Sequence, residues 1–208
     1  MAHVHDPQKD RLNLYIKFLK ERTFFEPSSP VLHYNLGLAY SQKGLVDEAI
    51  SEFKQALECD PNLAQAHVNL GGLWFRKGNL EECIEANLRA LALDPTLPMA
   101  YSNIGFAYLH MGDVEKSIQH SEKAVELAPD HLPALNSLAV AYLQAERVDE
   151  SIACSHKILA IQQDFAPAHV NLAQAYAMKG EVEKADEHRQ KADALGYAMP
   201  PDDSPPGE

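Results

Sequence analysis

The chain has 208 residues, 46% of them hydrophobic and 8% aromatic, which is ample to bury a core. Its formal net charge of −12 argues against nucleic acid as the main partner, because a phosphate backbone binds to a basic patch. No apolar run approaches the roughly 18 residues of a membrane-spanning helix, and the N-terminus lacks the basic and apolar regions of a secretory signal, so we expect a cytoplasmic protein.

The first predicted element is a helix over residues 9–23. The apolar face of this helix is expected to cover the next helix along the chain and consists of Leu12, Tyr15, Ile16 and Leu19. The basic residues between Arg11 and Arg22 are expected to face water. Residues 1–8 are predicted to be disordered.

From residue 30 onward the sequence repeats with a period of 34 residues. The motif that starts at Asn35 recurs in the segments 69–74, 103–108, 137–142 and 171–176. A turn glycine follows in four copies, at Gly44, Gly78, Gly112 and Gly180, and Glu146 takes its place in the fourth copy. Apolar residues recur three and four positions apart on both sides of the turn, so each unit is predicted to contain two helices.

This pattern resembles the tetratricopeptide repeat. The matching residues in the first copy are Leu36, Gly37, Tyr40, Ala49, Phe53, Ala56 and Pro61. The resemblance implies an all-α fold, a right-handed superhelical solenoid of antiparallel helix pairs in which the first helix of each pair, helix A, lines a concave face. The second helix of each pair is helix B.

The repeat phase also predicts the domain organisation. Residues 9–29 are the B helix of an incomplete leading repeat and cap the stack, and residues 30–196 hold five repeats. Their predicted bounds are 30–63, 64–97, 98–131, 132–165 and 166–196. Residues 197–208, which are rich in proline and acid, are predicted to be a disordered tail.

Three copies depart from the family pattern at the place of Phe53, which holds Asn87, Ser121 and Ser155. Small polar groups bury less apolar area, so we expect weaker contacts there. An aromatic side chain recurs at one phase, as Tyr40, Trp74, Tyr108, Tyr142 and Tyr176, and these residues are expected to belong to the core instead of forming a stacking ladder.

The opposite face of the A helices is apolar and carries one amide in most repeats, and we predict that it binds peptide. Its candidate residues are Asn35, Asn69, Asn103, Asn171, Tyr34, Leu38, Phe75, Arg76, Met99, Phe106, Leu109, His110, Val140, Leu143 and Gln174. An amide donates and accepts hydrogen bonds, so a ladder of Asn side chains can pair with the backbone of an extended chain. The alternative is that each Asn braces the neighbouring helix. A similar ladder lines the repeats of O-linked N-acetylglucosamine transferases.

No catalytic motif is present, so we expect a protein that is not an enzyme and has no cofactor. His33, His67 and His169 share one phase, but successive A helices lie too far apart for equivalent side chains to hold one metal ion. We therefore predict no metal site, apart from weak, nonspecific binding at His3 and His5. The three cysteines are expected to be reduced and mostly buried.

The sequence therefore favours an adaptor or assembly scaffold that binds an extended peptide or an amphipathic helix of a partner protein. It is expected to be a monomer or weak homo-oligomer without a membrane span. Two alternatives are a self-associating structural module and a protein that docks on membranes through the basic amphipathic helix near its N-terminus.

Overall fold

The computed structural model describes residues 7–197, and within them the backbone forms eleven helices and no strand. The predicted all-α fold of paired helices is confirmed. In chain order the helices are α1 (Pro7–Phe25), α2 (Pro30–Lys43), α3 (Val46–Cys59), α4 (Ala64–Arg76), α5 (Leu80–Leu93), α6 (Pro98–Met111), α7 (Val114–Leu127), α8 (Leu132–Gln144), α9 (Val148–Ile161), α10 (Ala166–Met178) and α11 (Val182–Ala194).

Helix α1 begins at Pro7, so the disorder predicted for residues 7 and 8 is wrong. The disorder predicted for residues 1–6 and 198–208, and the weak metal site at His3 and His5, lie outside the described residues. Every helix of the described part is too short or too polar to cross a bilayer.

The turn between the two helices of a pair requires a left-handed residue. Gly44 has φ 80° after α2, and the amide of Leu45 donates to the carbonyl oxygen of Tyr40 at 2.9 Å, which closes the helix end. The fourth copy makes the same turn without glycine, because Glu146 adopts φ 58°. A side chain in this region is strained, whereas glycine is not.

Replacing Glu146 by glycine is therefore expected to raise the free energy of unfolding by about 0.5 to 1 kcal/mol. Urea titration followed by circular dichroism measures the change. Gly112, at φ 79°, is the matched control, because Gly112→Ala imposes the same strain and is expected to lower stability. A loss of stability in Glu146→Gly would contradict the prediction.

Contacts divide the chain into two compact units, with the boundary between Ala107 and Tyr108. In unit 1, Ile16 and Leu19 of α1 pack against Leu36 and Ala39 of α2. Tyr15 was predicted to belong to this contact. The prediction is wrong for this residue, whose side chain is 45% exposed.

The largest core cluster of unit 1 joins α3 to α4 and consists of Ala49, Ile50, Phe53, Ala66, Leu70 and Leu73. Phe53 is fully buried and fits against α2 because residue 37 is a glycine: a Cβ on Gly37 would lie 2.9 Å from the Phe53 ring.

The positions equivalent to Phe53 are fully buried in the next three repeats, although their side chains are small and polar. Asn87 donates from Nδ2 to the Cys83 carbonyl oxygen at 2.7 Å and lies against Gly71. Ser121 and Ser155 leave their hydroxyl oxygens without a hydrogen-bond partner among residues 7–197. The second, third and fourth repeats thus bury a polar side chain at the position where the first repeat buries an aromatic ring.

In unit 2 a core cluster joins α8, α9 and α10 through Leu135, Ile158 and Ala168.

The recurring aromatic side chains are less deeply buried than predicted: Tyr142 is buried, but its four counterparts are half-buried. A cation covers the outer face of several of these rings, as Arg147 covers Tyr142 and Lys116 covers Tyr108, at 4.4 and 4.9 Å from the ring centroids.

Candidate functional site

The predicted binding residues of α2, α4 and α6 lie side by side on unit 1. Asn69 Nδ2 on α4 donates to Tyr34 Oη on α2 at 3.1 Å. The rings of Phe75 on α4 and Phe106 on α6 lie 4.7 Å apart between centroids. We call this surface the unit 1 surface, and it comprises Tyr34, Asn35, Leu38, Asn69, Phe75, Arg76, Met99, Asn103 and Phe106.

The unit 1 surface presents apolar side chains to solvent. Leu38 is 38% and Met99 48% exposed, and the Phe75 and Phe106 rings are half-buried. Arg76 is exposed at the end of α4. An apolar patch that contains an aromatic pair in contact and polar groups at fixed positions is typical of a protein interaction site.

The Asn side chains of this surface are half-buried, and two of them hydrogen-bond within the fold. Besides the Asn69 bond to Tyr34, Asn103 Nδ2 donates to Asn87 Oδ1 at 3.1 Å. These bonds support the bracing alternative for one N–H of each amide. A second N–H and the carbonyl oxygen remain on each side chain. Internal bracing therefore holds the amides in place without using all of their hydrogen-bonding groups.

In unit 2 the predicted residues do not all reach the surface. Asn171 is 4% exposed and donates from Nδ2 to Asn136 Oδ1 at 3.0 Å, and Leu143 is 8% exposed. We therefore remove these two residues from the candidate binding surface, since packing between α8 and α10 covers them. The remaining candidates, which are half-buried or exposed, are Leu109, His110, Val140 and Gln174.

His33 and His67, which occupy the same repeat position, contact carbonyl oxygens in the loops that precede their A helices. His33 Nε2 lies 3.0 Å from the Pro27 carbonyl oxygen and Nδ1 lies 2.7 Å from Glu52 Oε2. His67 Nε2 lies 3.3 Å from the Pro61 carbonyl oxygen. Within residues 7–197 no group of three or more His, Cys, Asp or Glu side chains is arranged to hold a metal ion.

Unit 2 contains a histidine cluster that was not predicted from the sequence. His169 Nδ1 and His188 Nδ1 lie 2.9 Å apart and share a hydrogen bond, and His188 stacks on Tyr176. Burial, reinforced by the charge of a protonated His169, lowers the pKa of His188 to about 4. His188 is therefore neutral at pH 7. The sequence feature that could have predicted this cluster is His188, which has the repeat position of Glu52, just as His169 has that of His33. Glu52 and His33 are in contact.

A cavity in unit 1, which was not predicted from the sequence, lies between α3 and α5. Its volume is about 630 Å³, and its walls include Leu57, Leu70 and Trp74. Ala86 lines this cavity, and an equivalent cavity of unit 2, with a volume of about 760 Å³, is lined by His188 at the same repeat position. Burial raises the pKa of the nearby Cys83 thiol to about 11, so this cysteine is protonated at pH 7. Cys83 is buried as predicted, whereas Cys59 is exposed.

Helix pairs that repeat every 34 residues and share an apolar, amide-bearing surface define an α-helical repeat protein. The chain belongs to the tetratricopeptide repeat family: models of this repeat match residues 12–64, 34–98 and 96–164. The comparison with curated protein sequences finds no match.

Among solved structures, the chain is similar to the MamA protein, with 25% identity, a TM-score of 0.68, and coverage of 80% of this chain and 91% of MamA. It is similar in fold to PilF of Pseudomonas aeruginosa, with 17% identity, a TM-score of 0.79, and coverage of 90% and 86% of the two chains. YrrB, described as a tetratricopeptide protein with an unusual peptide-binding site, has 19% identity, a TM-score of 0.68, and coverage of 85% and 91%.

Proposed function

We propose that this protein is an adaptor or scaffold that binds an extended segment of a partner protein on the unit 1 surface. Tetratricopeptide proteins take part in protein–protein interaction or scaffolding and are typically not enzymes. The proposal places the protein in the cytoplasm and assigns it no catalytic activity, cofactor or nucleic-acid partner.

The observation that carries the proposal is the position of the Phe75–Phe106 pair on the same surface as two braced amides, Asn69 and Asn103. The aromatic pair supplies apolar contact area, and the amides are fixed before a ligand arrives, so little side-chain entropy is lost on binding. Amide groups select an extended ligand, because an α-helix already satisfies its own backbone groups along its length.

The test is an Asn69→Ala/Asn103→Ala variant. Peptides selected from a random display library on the wild-type protein supply the probes, and isothermal titration measures their affinity. Loss of two hydrogen bonds at about 0.5 to 1.5 kcal/mol each is expected to weaken binding by roughly 5- to 150-fold.

The matched control is Gln55→Ala, which removes an exposed amide from α3 and is expected to leave affinity unchanged. Circular dichroism should show equal helicity in all three proteins. Selected peptides that bind the double variant as tightly as the wild type would contradict the proposal. Sedimentation of the free protein tests the alternative of self-association through the same surface.

A further inference from the structure

Helix α1 has a second apolar face, which is exposed to solvent. Its inner residues, Ile16 and Leu19, are 7% and 2% exposed against α2. On the outer side Leu14 is 69%, Phe18 53% and Phe25 77% exposed. Because these three residues are spaced by four and seven positions, they form one stripe along the helix. We call Leu14, Tyr15, Phe18 and Phe25 the α1 outer face.

The repeat phase shows what covers this face in the other repeats. The counterparts of Tyr15 in the five complete repeats are at most 3% exposed and are Ala49, Cys83, Ser117, Ser151 and Ala185. The counterparts of Phe18 contact the A helix of their own pair in several repeats. Glu52 lies 2.7 Å from His33, and His188 lies 2.9 Å from His169. Tyr15 and Phe18 therefore occupy positions that an A helix normally covers.

Helix α1 is a B helix, and within residues 7–197 it has no A helix of its own pair. Phe18, at this vacant contact, is larger and more apolar than its counterparts, and so is the neighbouring Leu14, whose counterparts are exposed in every complete repeat. Phe18 stands where the complete repeats have glutamate, alanine, histidine or cysteine, and Leu14 stands where they have glutamate or lysine. Apolar side chains at these positions are unfavourable in contact with water, whereas a docked helix would bury them.

The charges beside the α1 outer face indicate the chemistry of the docked helix. Basic residues outnumber acidic ones in α1, although the whole chain has a net charge of −12. Arg11 and Lys17 border the stripe together with Glu21. A second copy of α1 would bring the same basic residues face to face and would be repelled. Because two basic residues and one acidic residue border the stripe, an acidic ligand is favoured over a basic one.

We propose that the α1 outer face binds an acidic amphipathic helix of a partner protein, which packs on α1 where an A helix packs on the B helix of each complete repeat. The partner helix packs apolar residues on Tyr15 and Phe18, as A helices do in the complete repeats, and places carboxylates beside Arg11 and Lys17. This surface is separate from the unit 1 surface, and its occupation does not depend on peptide binding there.

Two synthetic helical peptides of 14 residues, the length of α2, test the proposal. Both carry leucine and alanine on one face, and they differ only in having glutamate or lysine on the flanks of that face. Fluorescence anisotropy with the intact chain is expected to show binding of the glutamate peptide. The lysine peptide is expected to bind at least about tenfold more weakly.

The variant Phe18→Ser is expected to weaken binding of the glutamate peptide by about tenfold or more, through loss of a large apolar contact. Its matched control is Phe24→Ser, because Phe24 is 81% exposed on the same helix but lies off the stripe. The Asn69→Ala/Asn103→Ala variant is expected to bind the peptide like the wild type, which separates this proposal from the proposed function. Both Phe variants remove exposed side chains, and circular dichroism checks that they stay folded.

Equal affinity for the two peptides, or equal affinity of Phe18→Ser and wild type, would overturn the proposal. A dimer in sedimentation that Phe18→Ser dissolves would replace the partner helix with a second copy of the chain. Flotation on phosphatidylserine vesicles that Phe18→Ser abolishes, without binding of the glutamate peptide, would replace it with a lipid surface.

Discussion

Phe53→Ala is expected to lower the free energy of unfolding by about 3 to 5 kcal/mol. The ring is fully buried, packs against Gly37, and lies 5.6 Å from the Tyr34 ring. Its removal leaves a cavity in the core cluster shared by α3 and α4, because neighbouring helices of a repeat array cannot collapse independently. Urea unfolding followed by circular dichroism measures the loss.

The matched substitution is Ser155→Ala, at the same position three repeats later. Ser155 Oγ is buried without a hydrogen-bond partner among the described residues, so its removal is expected to raise stability by about 1 kcal/mol. The same change to alanine thus has opposite signs at equivalent positions. A destabilising Ser155→Ala would show that the hydroxyl is satisfied and that the fourth repeat does not bury an unpaired polar group at this position.

Gly71→Ala is expected to lower the free energy of unfolding by about 1 to 3 kcal/mol through overpacking. A Cβ at residue 71 would lie 2.1 Å from Asn87 Nδ2, and Asn87 cannot move away easily because it is fully buried and hydrogen-bonded to Cys83 and Asn103. The effect is measured by the same urea titration.

The fourth repeat supplies a rescue for this substitution. There Ala139 and Ser155 occupy the positions of Gly71 and Asn87, and both are buried. Gly71→Ala is therefore expected to be less harmful in an Asn87→Ser background than in the wild type, with a favourable coupling of about 1 kcal/mol in a double-mutant cycle. Strict additivity would contradict a direct steric conflict between the two side chains.

The sequence was sufficient to predict the helix pairs because apolar periodicity, turn glycines and the period of 34 residues all agree. Glu146 illustrates how strong this agreement is: the turn keeps its left-handed residue even where glycine is missing. Local rules therefore locate the helices and turns, and the five-fold repetition assigns each residue a place in its pair.

Periodicity alone could not predict which side chains reach the surface. Asn171 and Leu143 have the phase of the candidate binding residues, yet packing of α8 against α10 buries them, and Asn136 takes up the Asn171 amide. Tyr15 has a core phase and is exposed, because residues 7–197 contain no A helix that packs on it as A helices pack on its counterparts. Exposure depends on the neighbouring helices and on side-chain sizes, which a helical wheel of one segment does not contain.

In three repeats, the size of an A-helix residue is matched to the size of the B-helix residue that it faces, and this matching has a consequence for gene duplication. The pairs are Gly37 with Phe53, Gly71 with Asn87, and Ala139 with Ser155. The two members of each pair stand on opposite sides of the turn but within one repeat. Duplication of a whole unit keeps the members together, whereas unequal recombination inside a turn can join Ala139 to Phe53, which requires the contact that Gly37 avoids. Viable crossovers are therefore expected in the loops between repeats, so that the repeat is the unit of inheritance as well as of packing.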